Sequence, residues 1–99
     1  MVFYGTSKSA LSAYMKYAAF RVGWKGIRCN AVHPGRINTP LISNRMLTEE
    51  DVAKDVEQYP LKRYGEPSEV AHAIIYLLSD AASWVTGTNL VIDGGRSLK

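Results

Sequence analysis

The sequence predicts an α/β fold in which two short parallel strands are flanked by helices, and three observations carry that prediction. Two β-prone runs, Ile27–Val32 and Thr88–Ile92, stand at separate places in the 99-residue chain, with residues 33–87 between them. That interval is far too long for a hairpin, so the strands run parallel with a right-handed crossover. Helical spacing of apolar residues fills the chain before the first run and between the two.

The first helix runs from Tyr4 to about Val22, with four Ala, no Pro, and a stop at Gly23 and Gly26. Its apolar residues, among them Leu11, Tyr14, Met15, Tyr17 and Phe20, wrap most of the circumference, which predicts burial on two sides, one against a sheet and one against another helix or subunit. The strand Ile27–Val32 carries Arg28 and Asn30 as polar insertions that need partners. It is expected to end at His33, because Pro34 has no N–H to donate, and His33–Pro40 becomes a stiff loop. Residues 41–47 show no clear period. Thr48 before Glu49, Glu50 and Asp51 marks a short helix with a hydroxyl cap and acids in its first turn, ending before Pro60. Glu66-Pro67-Ser68-Glu69 opens a further helix, with Pro in the first turn and Glu69 placed to reach back. Val70, Ala71, Ala73, Ile74, Leu77 and Leu78 follow at helical spacing, and the second strand closes at Asp93-Gly94-Gly95.

Composition excludes several classes. A hydrophobic content of 46% with 21% charged residues is that of a globular domain. No segment approaches a membrane span, and the first residues do not read as a secretory signal, so the expected location is the cytoplasm and no membrane partner is expected. The single Cys29 excludes an intrachain disulfide and reads as a small packed hydrophobe. No metal-ligand cluster is visible. Residues 1–48 hold seven Lys or Arg and no acid, whereas the remainder holds five basic and nine acidic residues, for a net charge of +3. This asymmetry suits an anionic partner for the first half or attraction between the halves. The positive charges are spread singly over helix, strand and loop, so nucleic acid is not expected as a partner.

Tyr4 and Lys8 are the first candidates for chemistry. Four residues apart on a helix, they share a face. An ammonium near a phenol, whose ordinary pKa is about 10, favours the phenolate, so the phenol becomes a better proton donor near neutral pH. That suits a general acid for a carbonyl oxygen. By itself the pair reads first as a surface helix bearing an exposed Tyr and a solvated Lys, and it needs further motifs to read as chemistry. The second candidate is the loop after Pro34, because ligands of α/β units sit at the C-terminal ends of strands.

Together the motifs resemble the C-terminal part of a short-chain dehydrogenase/reductase over essentially all of the chain. Tyr4 and Lys8 look like that family's Y-x-x-x-K, here as Y-x-x-S-K. Gly26-Ile27-Arg28-Cys29-Asn30-Ala31-Val32-His33-Pro34-Gly35 resembles G-I-R-V-N-x-V-x-P-G, with Thr39 following. Pro60 to Ala71 looks like P-L-x-R-x-G-x-P-x-E-V-A, and Thr86-Gly87 with Asp93-Gly94-Gly95 resembles T-G-x-x-x-x-x-D-G-G.

The resemblance implies the C-terminal portion of a Rossmann-type doubly wound parallel sheet, residues 1–99 forming part of one domain whose N-terminal dinucleotide-binding half lies outside this chain. It implies an oxidoreductase using NAD or NADP to interconvert a ketone or aldehyde and an alcohol. Tyr4 would exchange the proton, Lys8 would bind the nicotinamide ribose and lower the Tyr4 pKa, and Pro34, Gly35, Ile37 and Thr39 would line the nicotinamide. Gly35 and Gly94 also read as turn glycines, Asp93-Gly94-Gly95 as structural, Arg36 as either an anion contact or a solvated arginine, and Trp84 as packing or interface. The family's glycine-rich phosphate loop and catalytic Ser are not in these residues, so the chain alone is expected to bind no cofactor tightly and to be inactive. Association with its N-terminal half, or with copies of itself, is expected. The other reading, motivated by Met1 standing so near Tyr4, is a naturally truncated module for interaction or oligomerisation.

Overall fold

The computed structural model describes the backbone of residues 2–40 and 48–98, and the side chains of residues 8–40 and 48–98. Helix α1 spans Val2–Val22, strand β1 Ala31–Pro34, helix α2 Glu49–Val56, helix α3 Pro67–Leu78 and strand β2 Asn89–Ile92. The aperiodic residues 41–47 lie outside the described residues. The two strands form one sheet. The Ala31 amide donates to the Thr88 carbonyl and the Gly35 amide to the Ile92 carbonyl, each at 2.9 Å. Donor and acceptor both advance by four residues, so the strands are parallel, as the long interval predicted.

The chain divides into two compact units, Met1–Val32 with Ile75–Leu90, and His33–Ile74 with Val91–Lys99. In the first, α1 ends where glycine was expected to end it. A single 3-10 turn, Gly23–Lys25, follows and stops at Gly26, whose left-handed φ of 77° lets its amide bond the Gly23 carbonyl. Ser12, Met15, Ala18, Ala19 and Val22 lie on the covered face. The Asn89 side-chain Nδ2 donates to Ser12 Oγ at 2.7 Å, which ties the helix to β2. The expectation of burial on two sides is met on one side within this chain. Leu11, Tyr14, Tyr17 and Phe20 are 60–84% exposed. Trp84 is likewise exposed and does not pack within the chain.

The first strand begins four residues later than the sequence suggested and runs through Pro34. Residues 27–30 are held by side chains and by one backbone bond, from the Gly87 amide to the Cys29 carbonyl at 2.7 Å. Arg28 donates to the carbonyls of Val85 and Ser79, Asn30 donates to the Val85 carbonyl and accepts from the Thr88 amide, and the Cys29 amide bonds Thr86 Oγ1. These are the partners the two polar insertions required. Cys29 is half-buried beside them. Pro34 is tolerated because the amides that face β2 are those of alternate residues, Ala31 and Gly35 among them. Pro34 occupies a position whose nitrogen points away from β2, so its lack of an N–H costs no bond to that strand.

In the second unit, Thr48 caps α2 through a full capping box. Its hydroxyl accepts from the Asp51 amide at 3.0 Å while the Asp51 carboxylate accepts from the Thr48 amide at 3.2 Å. Glu69 reaches back to the Glu66 amide at 2.9 Å, closing the first turn of α3. Asp93 ends β2 by accepting from the amides of Gly95 and Ser97, which shapes the final 3-10 turn, Arg96–Leu98. Those bonds hold its carboxylate below its ordinary range, the Ser97 contact foremost. Asp93 is thus structural.

Candidate active site

The loop that leaves the C-terminal end of β1 places Pro34, Gly35, Ile37 and Thr39 together in the second unit. Gly35, Ile37 and Thr39 are half-buried and Pro34 is exposed. Gly35 is required here by close approach. A Cβ on it would stand 2.9 Å from Asp93 Cβ, 3.0 Å from Asp93 Cα and 3.3 Å from Tyr59 Cε1. Its φ does not lie in the left-handed region, so the turn explanation applies to Gly94 and Gly95, with φ of 59° and 88°, and not to Gly35.

The residues on either side of Ile37 are pinned. The Gly65 amide donates to the Arg36 carbonyl at 3.1 Å and the Asn38 amide donates to the Gly65 carbonyl at 2.8 Å, an isolated parallel bridge. In extended chain successive amides alternate in direction, so the N–H and C=O of Ile37 itself are turned away from Gly65. One donor and one acceptor on the same residue match a primary carboxamide, which offers the complementary pair. The carboxamide of a nicotinamide is a group of that kind, and Gly35 is glycine because Asp93 and Tyr59 leave no room for a Cβ.

Arg36 is exposed, and its guanidinium is already engaged by a carboxylate of the protein. Its guanidinium pairs with Asp55 at 2.5 Å and lies 5.9 Å from the centre of the Tyr64 ring. Its amide donates to the Tyr59 hydroxyl at 3.3 Å. The Tyr64 hydroxyl donates to the same Asp55 oxygen at 2.6 Å, and the two tyrosine rings meet edge to face at 6.0 Å. Burial pushes the Tyr64 phenol up and the Asp55 bond adds to it, with Arg36 opposing. Contact with the Tyr64 hydroxyl foremost raises Arg36, burial opposes it, and the Asp55 charge adds to the rise. Sequence reasoning missed Tyr59, Tyr64 and Asp55. The signal available was two tyrosines flanking the P-L-x-R stretch, within reach of a loop basic residue.

Tyr4 and Lys8 belong to the other unit, on the first half of α1. The helix sets their Cα atoms one turn apart on a common face, about 6 Å along the axis. Lys8 is exposed, and the side chain of Tyr4 lies outside those described. Among the described residues no group of His, Cys, Asp or Glu could hold a metal ion, and no helix is long and apolar enough to cross a membrane.

A parallel sheet with flanking helices and a glycine loop at a strand's C-terminal end define a Rossmann-like α/β fold. Comparison with known proteins gives it a family. A family model described as enoyl-(acyl carrier protein) reductase matches residues 1–97. Cyclohexanol dehydrogenase of Acinetobacter sp. (strain SE19) is 44% identical over 96 residues, covering 97% of this chain and 36% of the relative. The 7alpha-hydroxysteroid dehydrogenase of Escherichia coli (strain K12) is 39% identical over 95 residues, covering 96% and 37%. Among solved structures, a 4-hydroxyisoleucine dehydrogenase complexed with NADH matches with a TM-score of 0.87 at 34% identity, covering 95% of this chain and 39% of that one. A short-chain type dehydrogenase/reductase from Mycobacterium ulcerans matches with the same TM-score at 40% identity, covering 97% and 35%. The chain belongs to the short-chain dehydrogenase/reductase family, and it spans about a third of the length of these curated relatives.

Proposed function

We propose that these 99 residues are the proton-transfer and nicotinamide-facing part of an NAD(P)-dependent oxidoreductase that interconverts a ketone or aldehyde and an alcohol. The observation that carries the proposal is the backbone of Ile37, which has no hydrogen-bond partner among the described residues and lies between two pinned neighbours beyond the end of a parallel strand. The N–H and C=O of Ile37 would bind the carboxamide, with Pro34, Gly35 and Thr39 lining the nicotinamide. When bound, the nicotinamide supplies or accepts the hydride. Tyr4 gives its phenolic proton to the carbonyl oxygen in reduction and takes it back in oxidation. Lys8 bonds the ribose and favours the phenolate, lowering the energy needed for that transfer.

Part of this proposal is that the phosphate loop and the catalytic Ser come from a further, N-terminal segment of the same domain, and that the protein works in the cytoplasm on a small-molecule substrate. The curated relatives are about three times as long as this chain, which supports it. The isolated 99 residues are then inactive. Measurement of NADH or NADPH consumption with carbonyl substrates tests this, and turnover by the isolated chain refutes it.

A second reading, an interaction or oligomerisation module, is favoured by the exposed face of α1, where Tyr14 is 69% and Phe20 84% exposed. The two readings part on Tyr4. Only the first requires its hydroxyl.

A further inference from the structure

We propose that Asp55 is a positioning residue for the Ile37 backbone: it holds Arg36 and Tyr64 so that the loop keeps the extended course that presents the Ile37 N–H and C=O. The inference deepens the proposed function and rests on that reading for the identity of the ligand. Its physical basis does not. Arg36 is held at three groups, its amide by Tyr59, its carbonyl by Gly65 and its guanidinium by Asp55. Only the last depends on a charge supplied by α2. Asp55 stands on the last turn of that helix, with 26% of its side chain exposed, and the same carboxylate oxygen takes Tyr64.

Without Asp55 the guanidinium, 39% exposed beside the Tyr64 ring, would lose its counter-charge. It would turn towards water, and the Arg36 backbone would be held less firmly against Tyr59 and Gly65. The extended run Arg36-Ile37-Asn38 would then be held by the Asn38–Gly65 backbone bond and the exposed 3.4 Å Asn38–Glu66 contact. Asp55 reaches no ligand in this account. It acts through Arg36.

Amide hydrogen exchange in the protein tests the inference, comparing the natural sequence with Asp55→Asn, Asp55→Glu and Tyr64→Phe. Asp55→Asn is expected to speed exchange of the Arg36 and Asn38 amides about tenfold, leaving α3 unchanged as the internal control. Asp55→Glu restores the charge and brings exchange back to within about threefold, and Tyr64→Phe gives a smaller rise than Asp55→Asn. An NADH titration of the protein joined to its N-terminal half is the second arm, in which Asp55→Asn weakens binding about tenfold and Asp55→Glu does so far less. Unchanged exchange at Arg36 and Asn38 in Asp55→Asn overturns the positioning role, as does equal acceleration throughout α3. Faster exchange confined to the loop upholds it even where the natural sequence binds no NADH, a failure that falls on the proposed function instead.

Discussion

Replacing Gly35 by alanine is the sharpest structural perturbation of the loop. The added Cβ would meet Asp93 Cβ at 2.9 Å and Asp93 Cα at 3.0 Å, against about 3.5–4.0 Å for a relaxed carbon pair. Neither neighbour yields easily. Asp93 is anchored by the amides of Gly95 and Ser97, and Gly35 by its own bond to the Ile92 carbonyl. One contact is with backbone, so rotating a side chain does not relieve it. Overpacking a site costs about 1–3 kcal/mol, and the rigid neighbours place this substitution at about 2–3 kcal/mol. With a urea slope of about 1.5 kcal/mol/M for a chain of this size, the midpoint should fall by roughly 1.5–2 M. Gly23→Ala is the matched control, since nothing lies within 4 Å of its Cβ position. Urea unfolding followed by circular dichroism reads both. A Gly35→Ala midpoint within about 0.3 M of the natural sequence, or an equal loss in Gly23→Ala, would refute the close-approach argument.

Asn30→Ala removes the part-buried bonds to the Val85 carbonyl and the Thr88 amide and should cost about 1–3 kcal/mol in urea unfolding. Asn38→Ala, which loses one exposed 3.4 Å contact with Glu66, should stay within about 0.5 kcal/mol. Glu69 should titrate near 2 instead of 4.5 by carboxyl NMR, chiefly because of its bonds to Arg63 and next because of the Glu66 amide. A carboxylate whose folded pKa is depressed contributes stability above its ordinary pKa and loses that contribution as pH falls through the folded value. The loss therefore falls between 4.5 and about 2, and Arg63→Ala should return the titration midpoint most of the way to 4.5.

Most elements were legible because their signals are local. Thr48 with the acids after it, Pro67 with Glu69, and Gly26 after α1 each act within one helical turn, and each appears where the sequence put it. The register of β1 was not legible, because it depends on which amides face β2. Pro34 forbids a strand only when its nitrogen points at a partner. The candidate residues Pro34, Gly35, Ile37 and Thr39 were found through motif resemblance. Why Gly35 is glycine could not be read, since its neighbour Asp93 is distant in sequence. The Arg36–Asp55–Tyr64 group was missed for a similar reason: its charge and its phenol sit 19 and 28 positions further along the chain, where no periodicity links them.

The central claim is that Tyr4 carries the proton. Its most direct test is single-turnover hydride transfer, followed by NADH absorbance, in the protein joined to an N-terminal dinucleotide-binding half, with Tyr4→Phe as the only change. A positioned general acid contributes about 10²–10⁴-fold. The account predicts that Tyr4→Phe lowers the rate by at least about 10²-fold while NADH still binds. A Tyr4→Phe protein that transfers hydride at the rate of the natural sequence would contradict it.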